Sequence, residues 1–172
     1  MLSLSMGDEK SICRVSSDGA KEWYLNDNRH RVDGPAVERT NGSKIWYLNG
    51  ELHRVDGPAI EYANGTKRWY LNGKLHRVDG PAIESPNGAK YWYLNDNRHR
   101  VDGPAVEDAD GGKHWFLNGK LHRVDGPAIE YANGDKRWWL NGKPCKPIEV
   151  FKAATHEQRI HLLCFYASEF MP

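Results

Sequence analysis

The sequence predicts an all-β protein, an elongated array of β-hairpin repeats with a C-terminal capping α-helix, and three observations predict it. Trp23, Trp46, Trp69, Trp92, Trp115 and Trp138 stand 23 residues apart, each followed by an aromatic residue, Leu and Asn. Between them the string His-Arg-Val-Asp-Gly-Pro-Ala recurs unchanged from His30, His53, His76, His99 and His122. Turn dipeptides, mostly Asn-Gly, separate short runs rich in Trp, Tyr, Leu and Ile, residues that suit a pleated surface. Only 39% of the 172 residues are hydrophobic. So thinly apolar a chain with a fixed period buries surface between successive copies, because a single globular core is out of its reach.

Residues 1–10 carry no repeat and are expected to be disordered. The array occupies residues 11–147 and a helical cap residues 148–172. Within the copy Pro58–Gly80, the dipeptides Asn64-Gly65, Asn72-Gly73 and Asp79-Gly80 mark three turns. Asn-Gly supplies the positive φ angles of a tight hairpin turn, so each repeat reads as strand, turn, strand. In copies one and four the second turn is Asn-Asp-Asn, Asn26–Asn28 and Asn95–Asn97, whose residues also tolerate a left-handed backbone. Alternation along a strand sends Trp69 and Leu71 to one face and Tyr70 to the other. Stacked copies then form a Trp–Leu ladder and a second ladder of Tyr24, Tyr47, Tyr70, Tyr93, Phe116 and Trp139. The Asp-Gly-Pro-Ala element interrupts pairing and forms a corner between strands.

Copy six departs from the pattern: Pro-Cys-Lys-Pro follows Lys143 in place of the His-Arg string. Thr155 and Gln158 form a capping box, and Ile160, Leu163, Cys164 and Ala167 follow at helical spacing, which predicts a helix over 155–169 that covers the edge of the last hairpin. Leu162, Phe165 and Tyr166 make a second apolar stripe, leaving a homodimer or a partner helix as the other use of this segment.

Lys+Arg 24 against Asp+Glu 23 gives a net charge of +1, which argues against a general nucleic-acid binder. The N-terminal residues have neither a basic nor an apolar leader region, and no apolar run is long enough to span a bilayer. Three cysteines, Cys13, Cys145 and Cys164, match no disulfide framework, so a reducing, cytoplasmic setting is expected.

The string from Trp69, Trp-Tyr-Leu-Asn-Gly-Lys-Leu-His-Arg-Val-Asp-Gly-Pro-Ala, resembles the MORN repeat, whose 23-residue pattern runs aromatic pair, Asn-Gly-Lys, His-Gly and a further Gly. Trp69, Asn72, Gly73, Lys74 and His76 and their equivalents carry the resemblance over about Ser11 to Lys143, with Arg77 standing where the family has Gly. Such His-Arg-x-Asp-Gly-Pro-Ala variants are typical of phage, giant-virus and some bacterial proteins. The resemblance implies an elongated hairpin-built sheet that holds partners together, with membrane-lipid binding proposed for some members, and no enzymatic activity. A viral member is expected to act in the host cytoplasm.

Five His-x-x-Asp pairs invite a metal, but residues three apart in an extended segment face opposite ways, and no cofactor or metal is expected. Catalysis needs a unique convergent cluster, and Cys13, Cys145 and His114 have no evident partners. Two rows are candidates for partner binding. One is the aromatic ladder from Tyr24 to Trp139. The other is Arg31, Arg54, Arg77, Arg100 and Arg123, one guanidinium per repeat, each with an Asp two residues on and a recurrent Glu, which also fits an internal ion-pair ladder. Lys44, Lys67, Lys90, Lys113 and Lys136 form a further row, read as a solvated edge. The expected function is a non-enzymatic scaffold that binds a protein partner through one face of the sheet, in a viral setting binding and inhibiting a host component. The alternative is a small-ligand or phosphate-binding protein, for a nucleotide or lipid headgroup, that uses the Arg rows.

Overall fold

The computed structural model describes residues 10–170; the stretch expected to be disordered lies outside them except for Lys10. The chain is an all-β array of hairpin repeats with a C-terminal helix, and it divides into two compact units, residues 1–76 and 77–172. In the first unit the antiparallel sheet order is Ile12–Val15, Lys21–Leu25, Val37–Glu38, Lys44–Ile45, Ile60–Glu61 and Lys67–Arg68. In the second it is Ile83–Glu84, Lys90–Tyr91, Val106–Glu107, Lys113–His114, Ile129–Glu130 and Lys136–Arg137.

Each repeat holds two hairpins, one more than the strand-turn-strand reading allows. In copy two, Val37–Glu38 and Lys44–Ile45 belong to the main sheet, while Tyr47–Leu48 pairs with Glu51–Leu52 in a separate ribbon. Trp46 causes the division. Its N–H donates to the Ala59 carbonyl at 2.8 Å, whereas its own carbonyl accepts the His53 N–H at 3.2 Å. One residue thus bonds to both ladders, and the strand cannot run straight through it.

The same dipeptide closes both hairpins in different ways. At Asn72-Gly73 both residues have positive φ, 49° and 74°, which is the two-residue turn whose twist matches the flanking strands. Asn26-Asp27 and Asn95-Asp96 adopt it as well, so the predicted tolerance of Asp is realised. At Asn64-Gly65 only Gly65 is left-handed, at φ 86°, and the Asn64 side chain accepts the Thr66 N–H at 3.0 Å. That wider loop needs a side-chain acceptor, which is why Asp110 replaces Asn there in copy five and bonds Gly112 in the same way.

Register builds two dissimilar faces. Glu38, Lys44, Glu61 and Lys67 lie opposite one another across four successive strands, and Glu84 through Lys136 repeat the alternation in the second unit. The Lys row therefore sits within the sheet, cross-strand from Glu, and not at an edge as the sequence reading had it. One residue on, Val37, Ile45 and Ile60 form a buried cluster joined by Tyr47, Leu52 and Tyr70. Trp46 and Leu48 line the opposite side, so the alternation of the aromatic pair holds.

The C-terminal segment folds as α1, Pro147–Ala153, α2, His156–Tyr166, and a 3₁₀ turn, Ala167–Glu169. Helix α1 was not expected; it begins with Pro147 at its first turn, and the Glu149 carboxylate accepts the Lys146 N–H at 2.7 Å. The predicted capping box opens α2: Gln158 Oε1 accepts the Thr155 N–H at 2.8 Å. Its docking face differs from the expected one. Leu162 is fully buried with Val150, Ala154 and Trp138, while Ile160, Leu163 and Cys164 are exposed. Both stripes are apolar, so periodicity alone could not choose between them. Trp138 selects Leu162 and Tyr166, whose ring meets the indole edge-on at 5.6 Å.

Ala36, Ala59, Ala82, Ala105 and Ala128, the last residues of the corner strings, have no exposed surface. Replacing Ala59 by Leu should lower stability by about 1–3 kcal/mol through overpacking, measured by urea unfolding, whereas Val32→Leu at the exposed part of a corner should change it little.

Candidate functional site

The repeated string folds into a corner around its arginine. In copy two, Arg54 lies over the Trp46 ring with Cζ 4.1 Å from the centroid. Its Nε donates to Asp56 at 2.9 Å, and its Nη1 to the Pro58 carbonyl at 3.3 Å and to Glu61 at 3.1 Å. Gly57 forms the opposite wall: a Cβ added there would lie 2.9 Å from the guanidinium carbon. Arg31, Arg100 and Arg123 stack on Trp23, Trp92 and Trp115 at 3.9–4.1 Å. All five arginines, Arg77 included, bond the Asp two residues on, the Pro carbonyl and the Glu seven on. Every residue of Arg-x-Asp-Gly-Pro except the second thus has a task at one guanidinium.

Histidine ties one copy to the next. The Asn72 N–H, at the left-handed turn, lies 3.2 Å from His53 Nδ1, and Asn72 Oδ1 lies 2.8 Å from the same nitrogen. His30, His99 and His122 receive the backbone N–H of Asn49, Asn118 and Asn141 likewise. The Gly73 N–H donates to the Leu52 carbonyl at 2.9 Å, strengthening the same junction.

These contacts locate the two candidate rows. The guanidiniums are turned inward, with Arg54 at 22% side-chain exposure against 84% for Asp56. The aromatic row lies on the other side, half-buried from Tyr24 to Trp139. Its backbone carbonyls accept the Arg N–H of the preceding string, as Tyr70 does from Arg54 at 3.1 Å. The structure therefore does not bring the Arg and aromatic rows into one patch.

Sequence reasoning missed the valine between Arg and Asp. Val32, Val55, Val78 and Val101 are each 83% exposed. In the first unit Val32 and Val55 border an open groove of about 560 Å³ with Trp46 and Leu48 in its floor. In the second, Val101 and Val124 border a groove of about 610 Å³ that Gln158 of α2 helps to line. The available signal was an apolar residue in a corner already full of turn formers, where no core position is open to it.

The residues considered for chemistry are dispersed. Cys145 occupies the histidine position of copy six, its N–H bonding the Trp138 carbonyl at 3.0 Å, and burial followed by the nearby Glu149 charge pushes its thiol pKa up. Such a thiol is a poor nucleophile at neutral pH. His114 Nε2 lies 3.0 Å from Asp108 Oδ2 and its ring meets Tyr131 edge-on at 5.9 Å. Tyr166 donates to Glu130 at 2.8 Å, and desolvation together with this bond pushes its pKa up to about 12. Among the described residues no group of three or more His, Cys, Asp or Glu is disposed to hold a metal, and no helix is long and apolar enough to cross a membrane. Compared with protein-family models and with curated proteins, the chain matches none.

Two groups of titrations set the response to acid. Burial pushes the His122 pKa below 6.5. The unfolded chain then takes up a proton near pH 6.5 that the folded one refuses, so this contribution is full above pH 6.5 and is lost as pH falls below it. The hydrogen bond from each corner Arg, aided by its charge, holds Asp33, Asp56, Asp79 and Asp102 below 3.8. Their contribution is present above pH 3.8 and disappears as pH falls through their folded-state values. Thermal melts from neutral to strongly acid pH should show two stages of destabilisation, and His122→Gln should flatten the first while leaving the second.

Proposed function

We propose that the chain is a non-enzymatic repeat scaffold that binds a protein partner through the face carrying the corner valines. The observation behind this reading is the recurrence of an 83%-exposed Val in successive copies, each held on a corner fixed by Trp, Arg, Asp and Glu. Within each unit, exposed apolar side chains on hydrogen-bonded corners flanked by carboxylates have the make-up of an interface core with a polar rim. It differs from the Tyr and Arg rows, which serve here as the supporting layer. The phosphate-binding alternative is weakened because Nε and Nη1 of each corner Arg already have acceptors. The His-Arg-x-Asp-Gly-Pro-Ala string supports a phage or giant-virus setting, in which the partner is a host protein.

Affinity capture followed by quantitative mass spectrometry tests the reading with the wild type and with Val32→Asp/Val55→Asp and Val101→Asp variants. A partner is expected to bind the wild type and to lose at least tenfold in affinity to a valine variant whose thermal unfolding is unchanged. Undiminished capture by all the variants, or a small molecule retained by the freshly purified protein in native mass spectrometry, would count against it.

A further inference from the structure

The Ile12–Val15 strand ends the sheet of the first unit. Its inner side pairs with Lys21–Leu25, Cys13 opposite Trp23 and Arg14 opposite Glu22. No described residue pairs with its outer side. All four residues are exposed, Ile12 at 67% and Val15 at 64%. Sheet edges are ordinarily guarded by charge, Pro or a bulge; this one carries a single charge, Arg14, which is turned to Asp27 at 3.2 Å and the Tyr24 ring of its own chain. Aligned by the 23-residue period, Cys13 and Val15 stand where copy two has Ala36 and Glu38. Those residues face the preceding strand: the Ala36 carbonyl accepts the Trp23 N–H, and Glu38 lies opposite Lys21. The first strand thus presents a pairing surface of the kind every inner copy buries, with an apolar Val at the position of the ion-paired Glu.

We propose that this edge is a homodimer interface, in which Ile12–Val15 pairs antiparallel with the same strand of a second copy about a two-fold axis. Hydrogen-bond direction and charge select the register. Ser16 N–H bonds the Ala20 carbonyl at 2.9 Å, so by alternation the backbone groups of Arg14 and Ile12 face inward and those of Cys13 and Val15 face out. Of the symmetric registers that match outward groups to outward groups, those centred on residues 13 and 14 pair the most of the strand. Centring on residue 14 places two arginines directly opposite, a like-charge pair that destabilises. Centring on Cys13 avoids this: Ile12 faces the aliphatic stem of Arg14 of the second copy, and Val15 faces Ser11. The contact is isologous, so it closes at two chains. At the last hairpin of the second unit, by contrast, α2 and the 3₁₀ turn cover Trp138, and Glu169 pairs with Lys136 at 3.3 Å.

The register makes the dimer traceable. Residues opposite each other in a hydrogen-bonded antiparallel pair have Cα atoms about 5.5 Å apart, within disulfide reach. Diamide, which accepts two electrons and two protons as two thiols become a disulfide, should link Cys13 to Cys13. Native mass spectrometry of the full chain under reducing conditions should give twice the 19.6 kDa chain mass, and peptide mapping after diamide should find the Cys13 link. Val15→Pro removes an outward N–H while sparing the inner ladder, and Cys13→Lys places two like charges on the axis. Each should lower the dimer fraction at least tenfold with thermal unfolding unchanged. A monomer at all concentrations, which would leave the edge to residues 1–9 or to another protein, overturns the proposal. So does a dimer indifferent to both variants, or a diamide link that maps to Cys164 on α2.

Discussion

The fold depends on one cation held between a ring and a backbone. Arg31, Arg54, Arg100 and Arg123 each stack on the Trp of their own copy, and Arg54 passes so close to Gly57 that a Cβ could not be added there without displacing it. A cation–π contact of this kind contributes about 0.5–2 kcal/mol, and an ion pair to a largely exposed Asp contributes little because water screens it. Neither is large alone. Their effect comes from convergence, because the same guanidinium also bonds the Pro carbonyl and a Glu of the main sheet, fixing the corner, the ribbon and the sheet relative to one another. A Lys ammonium has no planar fork and could not satisfy these directions together.

This corner explains why a chain so poor in apolar residues folds. The core of the first unit amounts to Val37, Ile45, Ile60 and their partly buried neighbours, and the five buried alanines allow strands to approach where larger side chains would hold them apart. Copies are joined through hydrogen bonds from turn residues, Asn to His and Gly to the preceding ribbon, as much as through apolar contact. Where the string ends, Cys145 keeps the backbone bond of the histidine, Lys146 stands at the arginine position and starts α1, and Tyr166 and Phe170 cover the indole that no arginine reaches. The helical cap is a replacement for a missing corner.

Repeat length, the hairpin turns, the corner and the capping box of α2 were legible because each is a local matter of φ preference, missing donors or short-range hydrogen bonds. The second hairpin was not, since nothing in Trp46 itself says that its N–H and carbonyl bond to different ladders. The two Asn-Gly turns read alike, yet one uses the Asn backbone and the other its side chain; the choice follows from the loop length that strand pairing imposes. The candidate site was legible only in part. Arg and Tyr recur as conspicuously as functional residues would, and both are occupied internally. Val55 looked like one more apolar residue until the corner turned it outward.

By itself the sequence determined that the protein is a hairpin array of six 23-residue copies ended by a helix, because period, turn chemistry and capping are written in residues close together along the chain. The tertiary structure decided which side of each ladder is buried and which stripe of α2 docks. Those outcomes depend on contacts between a residue and a neighbour 19 or more positions away, as His53 with Asn72 or Tyr166 with Glu130, and local periodicity does not encode them.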